Sequence, residues 1–127
     1  KGGAFTEAFA RAIPKLTGEA QREAREAFAL RLKRMTAATL RGYLKDDQLE
    51  VRLAAATACG LKEDRQYIPD LVAVLSDKDN LVVASARSSL RALSGGKDFG
   101  PTGENPTPVE KARAAAAWNA WWLTQSK

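Results

Sequence analysis

The feature that most constrains the fold of this chain is a segment that occurs twice, 31 residues apart. Residues 39–61 read TLRGYLKDDQLEVRLAAATACGL, and residues 70–92 read DLVAVLSDKDNLVVASARSSLRA. In each copy, a short polar turn separates two apolar stretches of helical spacing. The matched positions are Leu40 and Leu71, Leu44 and Leu75, Asp46 and Asp77, Val51 and Val82, Ala55 and Ala86, and Cys59 and Leu90. A fixed period built from helix pairs is typical of a helical solenoid.

The first third of the chain fits the same register more loosely. Its aligned apolar positions are Phe9, Ile13, Ala20, Ala24 and Phe28. Divergence is expected of a terminal repeat, because one of its sides faces solvent. We therefore predict three helix pairs in a single domain that spans residues 1–127, with the pairs at about residues 5–35, 36–62 and 68–94.

The last part of the chain breaks the repeat. Residues 95–107 are dense in glycine and proline and have no periodicity, which predicts a loop. Residues 108–125 predict a tryptophan-rich helix that caps the open end of the solenoid. The predicted fold is thus all-α. Its predicted core consists of Phe9, Ile13, Ala24, Phe28, Leu40, Leu44, Val51, Ala55, Cys59, Leu71, Leu75, Val82, Ala86, Leu90 and Trp118.

Small polar residues ahead of the apolar stretches predict where helices begin, because their side chains can accept hydrogen bonds from free backbone N–H groups. Two of these sites have a glutamate three residues further on, which is the capping-box pattern. The predicted caps are Thr6, Thr17, Thr36, Asp47 with Glu50, and Thr107 with Glu110.

Several kinds of catalysis are disfavoured by the composition. The chain has no histidine, which removes the usual activation of serine and cysteine nucleophiles and the commonest metal ligand. Its one cysteine, Cys59, lies on the apolar series and is predicted to be buried. Asp98, Phe99 and Gly100 spell the kinase metal-binding triplet, but no nucleotide loop or catalytic loop accompanies them. We predict a turn there, no enzyme activity, no cofactor and no metal.

The formal charge is +5, and most of the excess lies in residues 1–35, with 8 basic and 4 acidic residues. A modest positive balance permits weak contact with polyanions. No apolar run is long enough to span a bilayer. The chain begins Lys-Gly-Gly without an initiator methionine, so we expect it to belong to a longer polypeptide.

Both copies have the pattern Leu-x3-Leu, an aspartate-containing turn, then Val-x3-Ala-x3-Cys/Leu. The first copy, LKDDQLEVRLAAATA, includes the pair Val51 and Arg52; the second has Val83 in place of the arginine. The pattern resembles the HEAT repeat across residues 37–93. The tail, with KDFGP and AAAAWNAWW, is similar to the end of some bacterial HEAT-repeat proteins of unknown activity. The resemblance implies a right-handed solenoid. HEAT proteins mostly act as scaffolds or protein-binding surfaces, while some bind nucleic acid and a few HEAT-like proteins are enzymes.

In such stacks, the second helix of each pair lines the concave side. Four arginines fall on outward positions of these helices: Arg25, Arg52, Arg87 and Arg91. They could bind an acidic peptide or a phosphate-bearing chain, because the guanidinium group is a forked donor; the alternative is a solvated face. Trp121 and Trp122 could form a partner groove or a stacking platform for bases, or could help to seal the solenoid.

The leading hypothesis is a non-catalytic binding or scaffold module for a protein partner. The alternative is a nucleic-acid binder, or a HEAT-like DNA-repair enzyme of the glycosylase kind that acts on damaged bases. A third hypothesis is that the helices only hold other domains in place. A titration with DNA at low salt separates the second hypothesis from the others.

Overall fold

The computed structural model describes residues 2–125. Seven α-helices and two short 3₁₀ helices make up the described chain, and no strand occurs in it, so the all-α prediction is confirmed. The 3₁₀ helices are Ile13–Lys15, after α1, and Arg65–Tyr67, before α5. The α-helices are α1 (Gly2–Ala12), α2 (Gly18–Leu32), α3 (Ala37–Tyr43), α4 (Leu49–Leu61), α5 (Ile68–Val74), α6 (Asn80–Leu93) and α7 (Pro108–Gln125).

Helix α4 is the centre of the packing, because it contacts both α2 and α6. Lys62, just after α4, donates hydrogen bonds of 3.1 Å to the backbone carbonyls of Lys33 and Met35, just after α2. The two helices therefore end at the same side of the molecule. Helix α1 also packs on α4, α3 packs on α4, α5 packs on α6, and α7 packs on α5.

Helices α4 and α6 approach each other closely at Gly60. A Cβ atom at this position would lie 2.4 Å from the Oγ atom of Ser89, so a larger residue would push the helices apart. Ser89 is buried, and its hydroxyl donates a hydrogen bond of 2.6 Å to the carbonyl oxygen of Ala56. The small residues of α4 thus let α6 lie against its backbone.

The turns before α4 and α6 are built in the same way. The Asp46 carboxylate accepts a hydrogen bond of 2.9 Å from the backbone N–H of Gln48. At the matched positions, the Asp77 carboxylate accepts a hydrogen bond of 2.9 Å from the N–H of Asp79. An aspartate that bonds the backbone two residues ahead makes a tight turn without help from distant residues. Residues that lie 31 positions apart in the sequence therefore make equivalent hydrogen bonds in these two turns.

Every predicted core residue is buried or packs on the core. Phe9 and Ala24 are partly buried and pack against the core, and the others are less than 6% exposed. Phe9 stacks on Phe28 with ring centroids 4.8 Å apart. Truncation of a buried leucine or isoleucine in such a core typically costs about 2–5 kcal/mol of stability.

Two of the predicted caps are confirmed. Thr36 accepts a hydrogen bond of 3.3 Å from the backbone N–H of Thr39 at the start of α3. At the start of α7, Glu110 accepts a hydrogen bond of 2.8 Å from the N–H of Thr107, and Thr107 accepts one of 3.1 Å from the N–H of Glu110. This reciprocal pair is a complete capping box.

The other caps were wrong in different ways. Thr6 lies inside α1, which begins at Gly2, and its side chain is buried. Thr17 occupies the cap position of α2, but its side chain makes no capping bond. The capping residue of α4 is Gln48 rather than Asp47, and its side chain makes no capping bond. Glu50 does not cap α4 either, because it binds an arginine of α2.

The C-terminal helix is anchored by one tryptophan. Trp118 is fully buried, and its indole N–H donates a hydrogen bond of 2.8 Å to the carbonyl oxygen of Gly100. Phe99 packs edge-on against the same ring, with centroids 4.8 Å apart. The predicted turn at residues 98–100 therefore lies against α7, with Phe99 directed toward the tryptophans.

Candidate binding surfaces

A groove of about 230 Å³ lies where α2, α4 and α6 meet. Its wall is largely apolar and includes Phe28, Leu53 and Leu81, of which Leu81 is 49% exposed. Thr57 also lines the groove, and its hydroxyl lies 2.7 Å from the hydroxyl of Ser85 on α6. The two hydroxyls satisfy each other, so the groove presents mainly apolar surface to a ligand.

Arg25 and Glu50 form the charged end of this groove. Arg25 Nε lies 3.0 Å from Glu50 Oε1, and Arg25 Nη2 lies 2.8 Å from Glu50 Oε2, which is a bidentate pair. The Glu50 side chain is only 5% exposed, and the hydrogen bond to it raises the pKa of Arg25. This arginine is therefore neutralised within the protein and links α2 to α4.

Arg52 is buried and fully engaged. Its Nε and Nη2 atoms lie 2.9 and 3.3 Å from the two carboxylate oxygens of Asp77. Its Nη1 atom donates to the backbone carbonyls of Asp46 and Asp47, at 2.9 and 3.1 Å. Both side chains of the ion pair are about one-tenth exposed. Arg52 thus ties the turn before α4 to the turn before α6, away from solvent.

Arg87 and Arg91 share one carboxylate, that of Asp98. Arg87 makes a bidentate contact with Asp98, and its Nε atom lies 2.9 Å from Oδ1. Arg91 lies further away, at 3.8 Å, and its side chain is 53% exposed. The hydrogen bond from Arg87 lowers the pKa of Asp98 to about 2, and a bond from the N–H of Gly100 acts in the same direction.

Together, the four predicted arginines do not form a free cationic stripe. Each lies within ion-pair distance of a carboxylate of the chain. The partners lie 25 residues away for Arg25 and Arg52 and 11 away for Arg87, so helix periodicity alone could not identify them. The only pattern in the sequence that points to these ion pairs is the shared separation of 25 residues between Arg25 and Glu50 and between Arg52 and Asp77. Whether any of the four contacts a ligand stays a prediction.

The two tryptophans predicted for aromatic contact lie close together on α7 and are both partly buried. Their ring centroids are 6.2 Å apart. The guanidinium of Arg65, in the 3₁₀ helix before α5, lies 5.6 Å from the ring centroid of each. Nothing in the local pattern predicted this arginine, which is more than 50 residues from Trp121 and Trp122 along the chain.

The remaining reactive groups have structural surroundings. Cys59 is buried, as predicted, and desolvation raises the pKa of its thiol to about 12, so it stays protonated at neutral pH. Within residues 2–125, no three metal-ligating side chains lie together. None of the helices in this range combines the length and apolar character needed to cross a lipid bilayer.

Comparison with known proteins gives no match: no protein-family model, no curated protein sequence and no solved structure is significantly similar to this chain.

Proposed function

We propose that this chain is a non-catalytic protein-binding module, built as a short solenoid of three HEAT-like helix pairs with α7 as its cap. The matched turns at Asp46 and Asp77 support the repeat. The packing of α2 and α6 against the central α4 supports the stacking of the second helix of each pair. In a solenoid, such a layer forms an extended surface suited to a partner.

The observation that carries the proposal is the apolar groove between α2, α4 and α6. Leu81 exposes almost half of its surface beside it, and Leu53 and Thr57 complete the wall. Apolar pockets with a polar rim are where binding energy concentrates in protein interfaces. The rim here includes the Arg25–Glu50 pair, whose charges are already paired with each other, together with Arg22 and Glu26.

The nucleic-acid hypothesis is not favoured on this face. Phosphate recognition needs cations that are free to exchange counterions for the nucleic acid. Arg25 and Arg52 are bidentately paired with carboxylates of the protein, and Arg52 is buried. The same reasoning disfavours a glycosylase-like activity that relies on these arginines to hold DNA.

A matched pair of variants tests the proposal. Leu81 and Val109 are the second residues of α6 and α7, and they are 49% and 62% exposed. Leu81→Glu places a charge at the groove, whereas Val109→Glu places the same charge at an equivalent helix position elsewhere. Partners cross-linked by a photoreactive group at Thr57 are identified by mass spectrometry, and their affinity is then measured for the wild type and both variants.

We expect a partner whose affinity falls at least about tenfold with Leu81→Glu and is unchanged with Val109→Glu, which corresponds to loss of one well-packed apolar contact. Equal affinity of both variants for every partner recovered, with both folded as judged by circular dichroism, would contradict binding at the groove.

A further inference from the structure

A second surface, distinct from the groove, lies where α2 and α4 end. Four exposed or partly exposed cations lie there: Lys33, Arg34, Lys62 and Arg65. Within residues 2–125, none of them has a carboxylate oxygen within 4.0 Å, in contrast to Arg25, Arg52 and Arg87. We call these four residues the basic edge.

Contacts and chain connectivity link the residues of the basic edge, with Arg34 next to Lys33 in the sequence. Lys62 bonds the backbone carbonyl of Lys33, which joins the end of α4 to the end of α2. Lys62 and Arg65 lie on the same short connection before α5. Arg65 then reaches Trp121 and Trp122 on α7. The surface therefore runs from a cluster of cations to a pair of aromatic rings.

The cations retain capacity for a ligand. Lys62 uses two of its three ammonium hydrogens on backbone carbonyls. Arg65 makes one long hydrogen bond of 3.4 Å, to Gln125, and its guanidinium lies 5.6 Å from the centroid of each indole ring. A guanidinium has five N–H donors, so most of those of Arg65 face no protein acceptor.

Two carboxylates lie on the same connection and reduce the local charge. Asp64 accepts hydrogen bonds from the backbone N–H and the side-chain amide of Gln66, at 3.0 and 2.6 Å. Glu63 is exposed. Four cations and two carboxylates leave this surface at +2. Neither carboxylate lies within 4.0 Å of a cation of the basic edge in the described residues, but the pKa of Asp64 is lowered by the hydrogen bonds from Gln66 and also by the charge of Lys62.

We propose that the basic edge, with Trp121 and Trp122, binds single-stranded nucleic acid. The cations contact backbone phosphates, and the part-exposed indole rings stack on unpaired bases; Trp121 is supported by its packing against Phe99 and Trp118. Single-strand binding sites combine these two elements, a positive track and an aromatic platform. An acidic peptide would use the cations but would give the paired indole rings no matching planar group. This inference goes beyond the protein-binding groove and does not depend on it.

The experiment is a titration of a fluorescent oligothymidylate of about 12 nucleotides with the intact chain over a series of salt concentrations. If all four cations contact phosphates, the slope of log affinity against log salt is about −2.8, because each phosphate contact on a single strand contributes about −0.7. Quenching of tryptophan fluorescence accompanies binding, because bases stack on the part-exposed Trp121 and Trp122, whereas Trp118 is buried.

Two double variants with the same change in net charge separate a site from a general charge effect. Lys33→Gln/Arg34→Gln removes half of the basic edge and should reduce the slope to about −1.4. Lys45→Gln/Lys78→Gln removes two exposed lysines from the turns before α4 and α6, at the other end of these helices, and should leave the slope unchanged. Trp122→Ala should weaken binding about tenfold without a change in slope.

Three outcomes would overturn the proposal: no binding at low salt, equal loss of slope in the two double variants, or displacement of the oligonucleotide by polyglutamate at the same charge concentration with no tryptophan quenching. Circular dichroism and thermal unfolding of each variant establish that a loss of binding is not a loss of fold. The groove variant Leu81→Glu should bind the oligonucleotide as the wild type does, so failure of either proposal is visible separately.

Discussion

Two sets of cations on this molecule have opposite surroundings. Arg25, Arg52 and Arg87 are bound bidentately by carboxylates from other parts of the chain, and Arg52 is almost completely buried. Arg34 and Arg65 are exposed and have no carboxylate partner within residues 2–125. Whether a cation is free to bind a ligand thus depends on whether the fold places a carboxylate beside it, and not on its position on a helix face. The first set holds helices and turns together, and the second is available to a ligand.

Helix direction explains much of this difference. The N-terminal ends of α4 and α6 lie beside turns that contain Asp46 and Asp77, and an arginine there meets a carboxylate. The basic edge lies where α2 and α4 end, where positive charge is favoured by the exposed backbone carbonyls and the helix dipole. Lys62 shows this directly, because it bonds two such carbonyls.

The largest expected effect is that of Arg52→Ala. This change leaves the part-buried carboxylate of Asp77 without its cation and leaves two backbone carbonyls without a donor. We expect a loss of about 3–5 kcal/mol in the free energy of unfolding, measured by denaturant titration. A loss below about 1 kcal/mol would mean that Arg52 does not hold the turns together.

The next largest effect concerns the close packing of α4 on α6 at Gly60, which holds the helices that carry these cations in place. Gly60→Ala puts a methyl group against Ser89 and should cost about 1–3 kcal/mol, even though alanine favours helices. Gly42→Ala is the control, because that helical position has open space around it, and it should stabilise by up to about 1 kcal/mol. If both changes stabilise the protein, α4 and α6 are not in close contact.

The Arg87–Asp98 pair predicts a smaller effect that depends on pH. The pKa of Asp98 is lowered from 3.8 to about 2 in the folded state, so its contribution to stability is complete above pH 4 and is lost as the pH falls toward 2. Because the pair is part-exposed, we expect about 1 kcal/mol. Acid unfolding of Asp98→Asn, compared with the wild type, measures it. The difference in stability between the two proteins should shrink over this range, and a constant difference would contradict the pairing.

The smallest effect is expected for Arg34→Ala on the basic edge. Its side chain is exposed and unpaired in the described structure, so the free energy of unfolding should change by no more than about 0.5 kcal/mol. A loss comparable to that of Arg52→Ala would show that this arginine also has a structural role, and the contrast between the two sets would not hold.

The helical content and most of the core were predictable, because the apolar residues recur with helical spacing. The matched residues Leu40 and Leu71, and Ala55 and Ala86, are all fully buried. The caps at Thr36 and Thr107 were also predictable, since they depend only on neighbouring residues.

What could not be predicted depends on contacts between distant segments. Glu50 has the spacing of a capping residue, but a bidentate bond to Arg25 outweighs a single bond to the backbone. Arg65 reaches the tryptophans of α7 only because α5 packs on α7. Both sites result from tertiary packing, to which local patterns are blind.

The most direct test of the contrast between the two sets is modification of the native protein with an arginine-specific dicarbonyl reagent, with the rate at each site measured by peptide mass spectrometry. Arg34 and Arg65 should react rapidly, the part-exposed and paired Arg25 and Arg87 more slowly, and the buried Arg52 only as fast as the protein opens. Rapid modification of Arg52 in the folded protein, at the rate of Arg34, would contradict the account.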